Sequence, residues 1–188
     1  MVAKPRRAWG ALASLLALGL AIPLRSAAVA EALPTTITVK IVLAAVAYDR
    51  NADARLGDAV EIAVGGTSGN EKALLDVLKG YESKTLRGKA VTTFALRGAS
   101  PPSERPADIL FFSGPLGNAT AQWVGACGRQ NMICVSADRA GVEAGLPLGV
   151  EVGADGKPRL LVSAGAVKAI GMDLPASVLK LAEVIQGQ

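Results

Sequence analysis

The 188-residue sequence has no histidine, only two cysteines and only seven aromatic residues. Without histidine there is no imidazole to act as general base or to activate a serine or cysteine nucleophile. A zinc site would have to complete its shell with carboxylates, and no acidic residue lies between the two cysteines. No apolar run after residue 24 is long enough to span a bilayer. There is no internal repeat, no low-complexity tract and no block of like charges. The sequence carries neither a P-loop nor the G-x-G-x-x-G of a dinucleotide fold. The G-x-S-x-G elbow of the serine hydrolases is missing too. These absences predict a chain with no catalytic residues, no metal and no cofactor.

The first thirty residues have the layout of an export signal. Lys4, Arg6 and Arg7 precede an apolar stretch from Ala8 to Leu24, and Ala28-Val29-Ala30 places small residues where a signal peptidase reads. Cleavage is expected after Ala30, leaving a domain of residues 31–188. A retained anchor fits less well, because the run is short and contains Gly10, Gly19 and Pro23. No cysteine near the cleavage site could accept a lipid. The expected product is a soluble periplasmic protein with no membrane insertion of its own.

Cleavage also changes the charge. The full chain carries +4, but four of its twenty basic residues (Lys4, Arg6, Arg7, Arg25) lie in the signal, which has no acids. Sixteen basic residues then face sixteen acidic ones, and the net charge is zero. That balance removes the basis for a nucleic-acid or anionic-membrane partner. In an oxidising compartment Cys127 and Cys134 read most simply as a disulfide. Two buried thiols or a redox pair are the alternatives, although six intervening residues is not the spacing of a redox C-x-x-C.

Periodicity predicts the element order. A helix begins near Ile37, capped by Thr36, and ends between Asp53 and Gly57. Residues 59–64 alternate as a strand, followed by the turn Gly65–Gly69 and a helix over 70–81. Strands follow at 90–96 and 107–112, then a helix from Ser113-Gly114-Pro115 to Cys127, then a strand at 132–136. Asp155-Gly156 signals a hairpin between 148–152 and 158–162. A short helix over 164–170 and a last helix over 176–185 complete the chain. The expected fold is a single α/β domain. Its mostly parallel sheet of about four to six strands is flanked by helices, with a C-terminal hairpin and two helices.

In such sheets ligands bind beyond the carboxyl ends of the strands. That rule selects the loops Gly65–Gly69, Ser113–Pro115 and Ser136–Arg139, and within them Gly66, Thr67, Ser113, Gly114 and Ser136. Each also reads as ordinary turn chemistry. Asp108 reads as the start of its strand. Tyr48-Asp49-Arg50-Asn51 is the densest polar cluster on any predicted helix, and also reads as the solvated end of an amphipathic helix.

The segment from Val162-Ser163-Ala164-Gly165 through Ile170-Gly171-Met172 leads into Leu174-Pro175-Ala176-Ser177-Val178-Leu179-Lys180-Leu181-Ala182. It resembles the C-terminus of the YfiR/HmsC-like family of periplasmic regulatory proteins. Asp108–Ser113 and Met132–Ala137 resemble two strands of that family. Tyr48–Asn51 departs from the aromatic-Pro ending of the family's first helix, and a cysteine usual before the Asp108 strand is missing. The resemblance implies a non-enzymatic regulator. It would bind the periplasmic region of an inner-membrane signalling protein such as a diguanylate cyclase, with a link to cyclic-di-GMP and biofilm formation, and could form a homodimer. The alternative expectation is a small-ligand periplasmic binding protein associated with transport.

Overall fold

Strand β1 (Ala59–Gly65) is an interior strand of the sheet and is sealed on both faces. Val60, Ile62 and Val64 pack to one side and Ala63 to the other. The computed structural model describes residues 33–66, 68 and 70–186, so the expected export signal and Thr67 lie outside the described residues. Among those residues no helix is long and apolar enough to cross a membrane.

Helix α1 (Thr35–Tyr48) buries Val39, Val42, Leu43 and Val46, and α2 (Ala52–Arg55) follows it. After β1 come α3 (Glu71–Lys79), β2 (Thr85–Leu86) and β3 (Lys89–Ala95). Next are β4 (Ile109–Phe112), a 3-10 turn (Gly117–Ala119), α4 (Thr120–Arg129) and β5 (Ile133–Ser136). The chain ends with α5 (Arg139–Glu143), β6 (Leu148–Val152), β7 (Pro158–Ser163), α6 (Ala164–Ala169), α7 (Ala176–Leu179) and β8 (Ala182–Ile185).

The described residues form one α/β domain around an eight-stranded sheet of order β2-β3-β1-β4-β5-β6-β7-β8. Only β2–β3 and the hairpin β6–β7 are antiparallel; the other pairings are parallel. From β1 the chain steps outward to β3 and then returns across β1 to β4. The topological switch point therefore lies between the carboxyl ends of β1 and β4.

Strand alternation divides the core in two. Val64, Ile109, Phe111, Val135, Leu148, Val150 and Val162 face α1 and α3. Ala63, Leu110, Phe112 and Cys134 face α4, where Trp123 and Cys127 meet them. Phe112 and Trp123 pack edge to face with centroids 5.0 Å apart. The Cys127 and Cys134 sulfurs lie at bonding distance, with Cα atoms 6.1 Å apart, so the expected pair tethers the end of α4 to β5.

Three expectations need correction. The sheet has eight strands, because the short β2 and β8 join it at its edges. Helix α1 stops at Tyr48, where Asp49 turns the backbone to an extended conformation, and a separate short helix covers 52–55. The helix expected over 176–185 ends at Leu179, and residues 182–185 pair with β7 instead. A helical reading accounts for Leu181, Ala182 and Ile185. The alternation of Ala182, Glu183 and Val184 suits a strand equally, and β7 offers it an open edge. Tertiary pairing overrides the weak local preference.

Candidate functional site

The carboxyl ends of β4, β5 and β6 converge on a pocket of about 420 Å³, closed on one side by the start of α1 and by Asn70 before α3. Its floor is apolar, built from Leu33, Leu74, Phe111, Val135 and Val150. Ligand pockets span roughly 300–1,000 Å³ and combine such a floor with a few polar groups.

Ser113 comes directly after β4. Its amide donates to Gly65 O at 2.8 Å, which continues the ladder for one residue. The side chain is 4% exposed, and its hydroxyl has no partner among the described residues. Gly66 stands against it with φ 117°; a Cβ there would come within 2.7 Å of Ser113 Oγ, so this turn requires glycine. Ser68 Oγ donates to Ser113 O, and Gly114 packs against the Ser68 side chain.

From Ser136, the last residue of β5, the chain turns to Asp138, which caps α5 by accepting from Gly141 N at 2.9 Å. Ser136 Oγ donates to the same Asp138 oxygen at 3.2 Å. Arg139 then lies between acids. Its Nε donates to Glu151 at 2.9 Å and its Nη2 to Glu183 at 2.7 Å, with Glu143 3.7 Å away. Hydrogen bonds to Glu151 and then Glu183 push the guanidinium above its ordinary pKa. The Arg139 hydrogen bond holds the Glu151 carboxyl below its ordinary value.

Helix α1 contributes Thr35 and Thr38 to the pocket. It starts after Pro34, which provides no side-chain cap, and α3 starts after Asn70, which does not cap it either. Both helices therefore present first-turn amides without a capping side chain.

The sequence rule thus brings Ser113 and Ser136 into one pocket, with Gly66 and Gly114 packed beside it. Tyr48, Asp49, Arg50 and Asn51 lie elsewhere. They end α1, roughly 20 Å along its axis from Thr35 at 1.5 Å per residue. Nor is that cluster simply solvated. Asp49 is fully buried, accepts from Asn51 N and Asp173 N, and lies 3.0 Å from Arg55 Nη2. Asn51 Nδ2 donates to Gly171 O. The cluster is a clasp that holds the 170–173 segment against α2. Asp108 is likewise structural, accepting from Glu61 N and pairing with Arg105.

Sequence reasoning selected the Ser136–Arg139 loop but carried only Ser136 from it as a candidate residue, and it did not single out Glu151, Thr35 or Thr38. Asp138 had a signal as a cap three residues before Gly141. The pocket roles of Glu151 and Thr35 depend on which elements become neighbours. Among the described residues no group of three or more His, Cys, Asp or Glu side chains could hold a metal ion.

No protein-family model and no curated protein matches the chain. Among solved structures it is similar to the ABC domain in complex with L-Trp from Streptococcus pneumonia. The identity is 15% and the TM-score 0.50, over 81% of this chain and 60% of that one. It is also similar to a conserved domain protein from Vibrio cholerae O1 biovar eltor str. N16961. Here the identity is 14% and the TM-score 0.54, again over 81% and 60%. The chain therefore spans about 60% of the length of these two structures. At such identities the likeness shows the fold: an α/β domain.

Proposed function

We propose that this chain is a non-enzymatic domain that binds a small solute at the carboxyl edge of β4–β6 and works in the periplasm. The observation that carries the reading is the pocket itself. The ends of β4, β5 and β6 and the start of α1, far apart in sequence, meet next to the topological switch point, over an apolar floor with a polar rim. The solved L-Trp complex of a similarly folded domain supports it. The Lys4–Ala30 pattern and the closeness of Cys127 to Cys134 support the compartment. A catalytic reading is weaker, because the Ser113 hydroxyl has no described neighbour to take its proton. Thermal-shift screening against solutes tests the proposal. A ligand at 100 times its dissociation constant stabilises by about 2.7 kcal/mol. A flat response across sugars, carboxylates, amines and amino acids overturns it.

A second reading, the regulator that binds an inner-membrane signalling protein, rests on a different surface. Leu181 is 83% exposed and Val184 39%, beside the edge strand β8. Val184 also lines a groove of about 380 Å³ with Val162, Val167, Met172, Leu174 and Leu179. A sensor or cyclase periplasmic domain, or a second copy of this chain, would cover such a patch. Under this reading Leu181→Lys abolishes recovery of the partner from solubilised membranes, and unchanged recovery counts against it.

A further inference from the structure

The pocket is polarised across the sheet edge, and the alternation of the strands shows how. Ser113 follows Ile109 and Phe111 in register and so belongs to the α1/α3 face. The uncapped starts of α1 and α3 lie on that same face, with Thr35 and Thr38 in the pocket wall. This side holds hydrogen-bond donors and no charged side chain that lines the pocket. Ser136 follows Cys134 onto the opposite face, and Glu151 alternates with Val150 onto it as well. Helix α5 packs there, with Gly141 against Ser136. That side carries the pocket's acids, Asp138 and Glu151.

The charges are not equally available. Glu151 is engaged by Arg139, and Arg139 is also held by Glu183. Asp138 commits one oxygen to Ser136 and Gly141, while its other oxygen accepts no hydrogen bond among the described residues. A simple anion would meet the donor side but face Asp138 without compensation. A simple amine would satisfy Asp138 but leave the helix starts and the buried Ser113 hydroxyl unpaired.

We propose that the pocket takes a zwitterion of the α-amino-acid type, with its carboxylate toward Ser113 and the starts of α1 and α3, its ammonium toward Asp138, and its apolar side chain over Phe111, Leu74 and Val135. The uncapped start of α1, with no acid in its first turn, favours a negative oxygen by its dipole, and the start of α3, which carries Glu71, adds less. The unpartnered hydroxyl of Ser113, almost wholly buried, is an independent sign of a missing acceptor or donor at the same place. The proposal rests on the small-solute reading above.

Calorimetry and thermal shift on the folded domain test it with three probes: L-phenylalanine, N-acetyl-L-phenylalanine and L-phenylalaninamide. They run beside a panel of the other amino acids, sugars, carboxylates and amines. The expected result is that one or more free amino acids bind, and that blocking either end of that amino acid weakens binding about tenfold or more, the cost of a lost charge-assisted hydrogen bond. Asp138→Asn keeps a side chain able to cap α5 and should weaken the free amino acid by a similar factor. Ser113→Ala should weaken it while leaving the melting temperature of the empty protein near wild type. Equal binding of blocked and free forms, or binding only by sugars, simple carboxylates or amines, overturns this inference but leaves the small-solute reading standing. A flat response to the whole panel removes both.

Discussion

Replacing Asp49 by asparagine tests the clasp that closes the domain at the end of α1. Asp49 Oδ1 accepts from Asn51 N at 3.0 Å and from Asp173 N at 2.8 Å, and asparagine retains an oxygen for these bonds. Its Oδ2 lies 3.0 Å from Arg55 Nη2 as a charge contact that is poorly aligned as a hydrogen bond. Both side chains are enclosed, at 0% and 8% exposure. Burial pushes the Arg55 guanidinium below its ordinary pKa, and the charge of Asp49 acts to restore it. The substitution therefore leaves a buried cation facing an amide. Breaking a buried pair in this way costs about 3–5 kcal/mol. That is a large share of the roughly 5–15 kcal/mol of a typical domain. The assay is urea unfolding followed by far-UV circular dichroism, read as a shift in midpoint at constant slope. Changing both partners, Asp49→Asn with Arg55→Met, should recover part of the loss, because no buried charge then remains. A loss below about 1 kcal/mol for Asp49→Asn, or a double variant less stable than the single one, refutes the argument.

Thiol titration of the denatured, unreduced protein should find no free cysteine, and Cys134→Ser should cost about 2.5 kcal/mol for a loop of this length. Gly66→Ala should destabilise by about 1–3 kcal/mol in the same unfolding assay, because φ is 117° and the new Cβ would sit 2.7 Å from Ser113 Oγ. Glu151 titrates lower folded than unfolded. Its contribution is thus fully present above the unfolded pKa and lost as pH falls through the folded one. Urea midpoints measured from neutral to strongly acid pH should fall less steeply for Glu151→Gln than for wild type, and identical slopes would count against the Arg139–Glu151 pairing.

The parallel core was readable because its residues repeat at the period of the structure they adopt. Val60, Ile62 and Val64 alternate, and Ile109–Phe112 is apolar throughout, as a strand buried on both faces must be. The Asp155-Gly156 hairpin was readable from turn chemistry alone. The C-terminal strand was not. Leu181, Ala182 and Ile185 satisfy a helical period, and only the open edge of β7 selects the extended form. The Asp49 cluster was visible as polar residues, but not as a buried clasp. Its partners at 170–173 are some 120 residues away, and burial of a carboxylate depends on what packs over it.

By itself the sequence determined the α/β class, the positions of the central strands, the placement of Gly66 and Ser113 just past strand ends and that of Ser136 at one. These follow from local periodicity and turn preference, which act within a few residues. Tertiary structure decided the rest. It set the strand order, the switch point between β1 and β4, the division of the pocket rim into a donor side and an acidic side, and the pairing of Arg139 with Glu151 and Glu183. Each depends on which elements become neighbours, and that choice is made by packing the whole core.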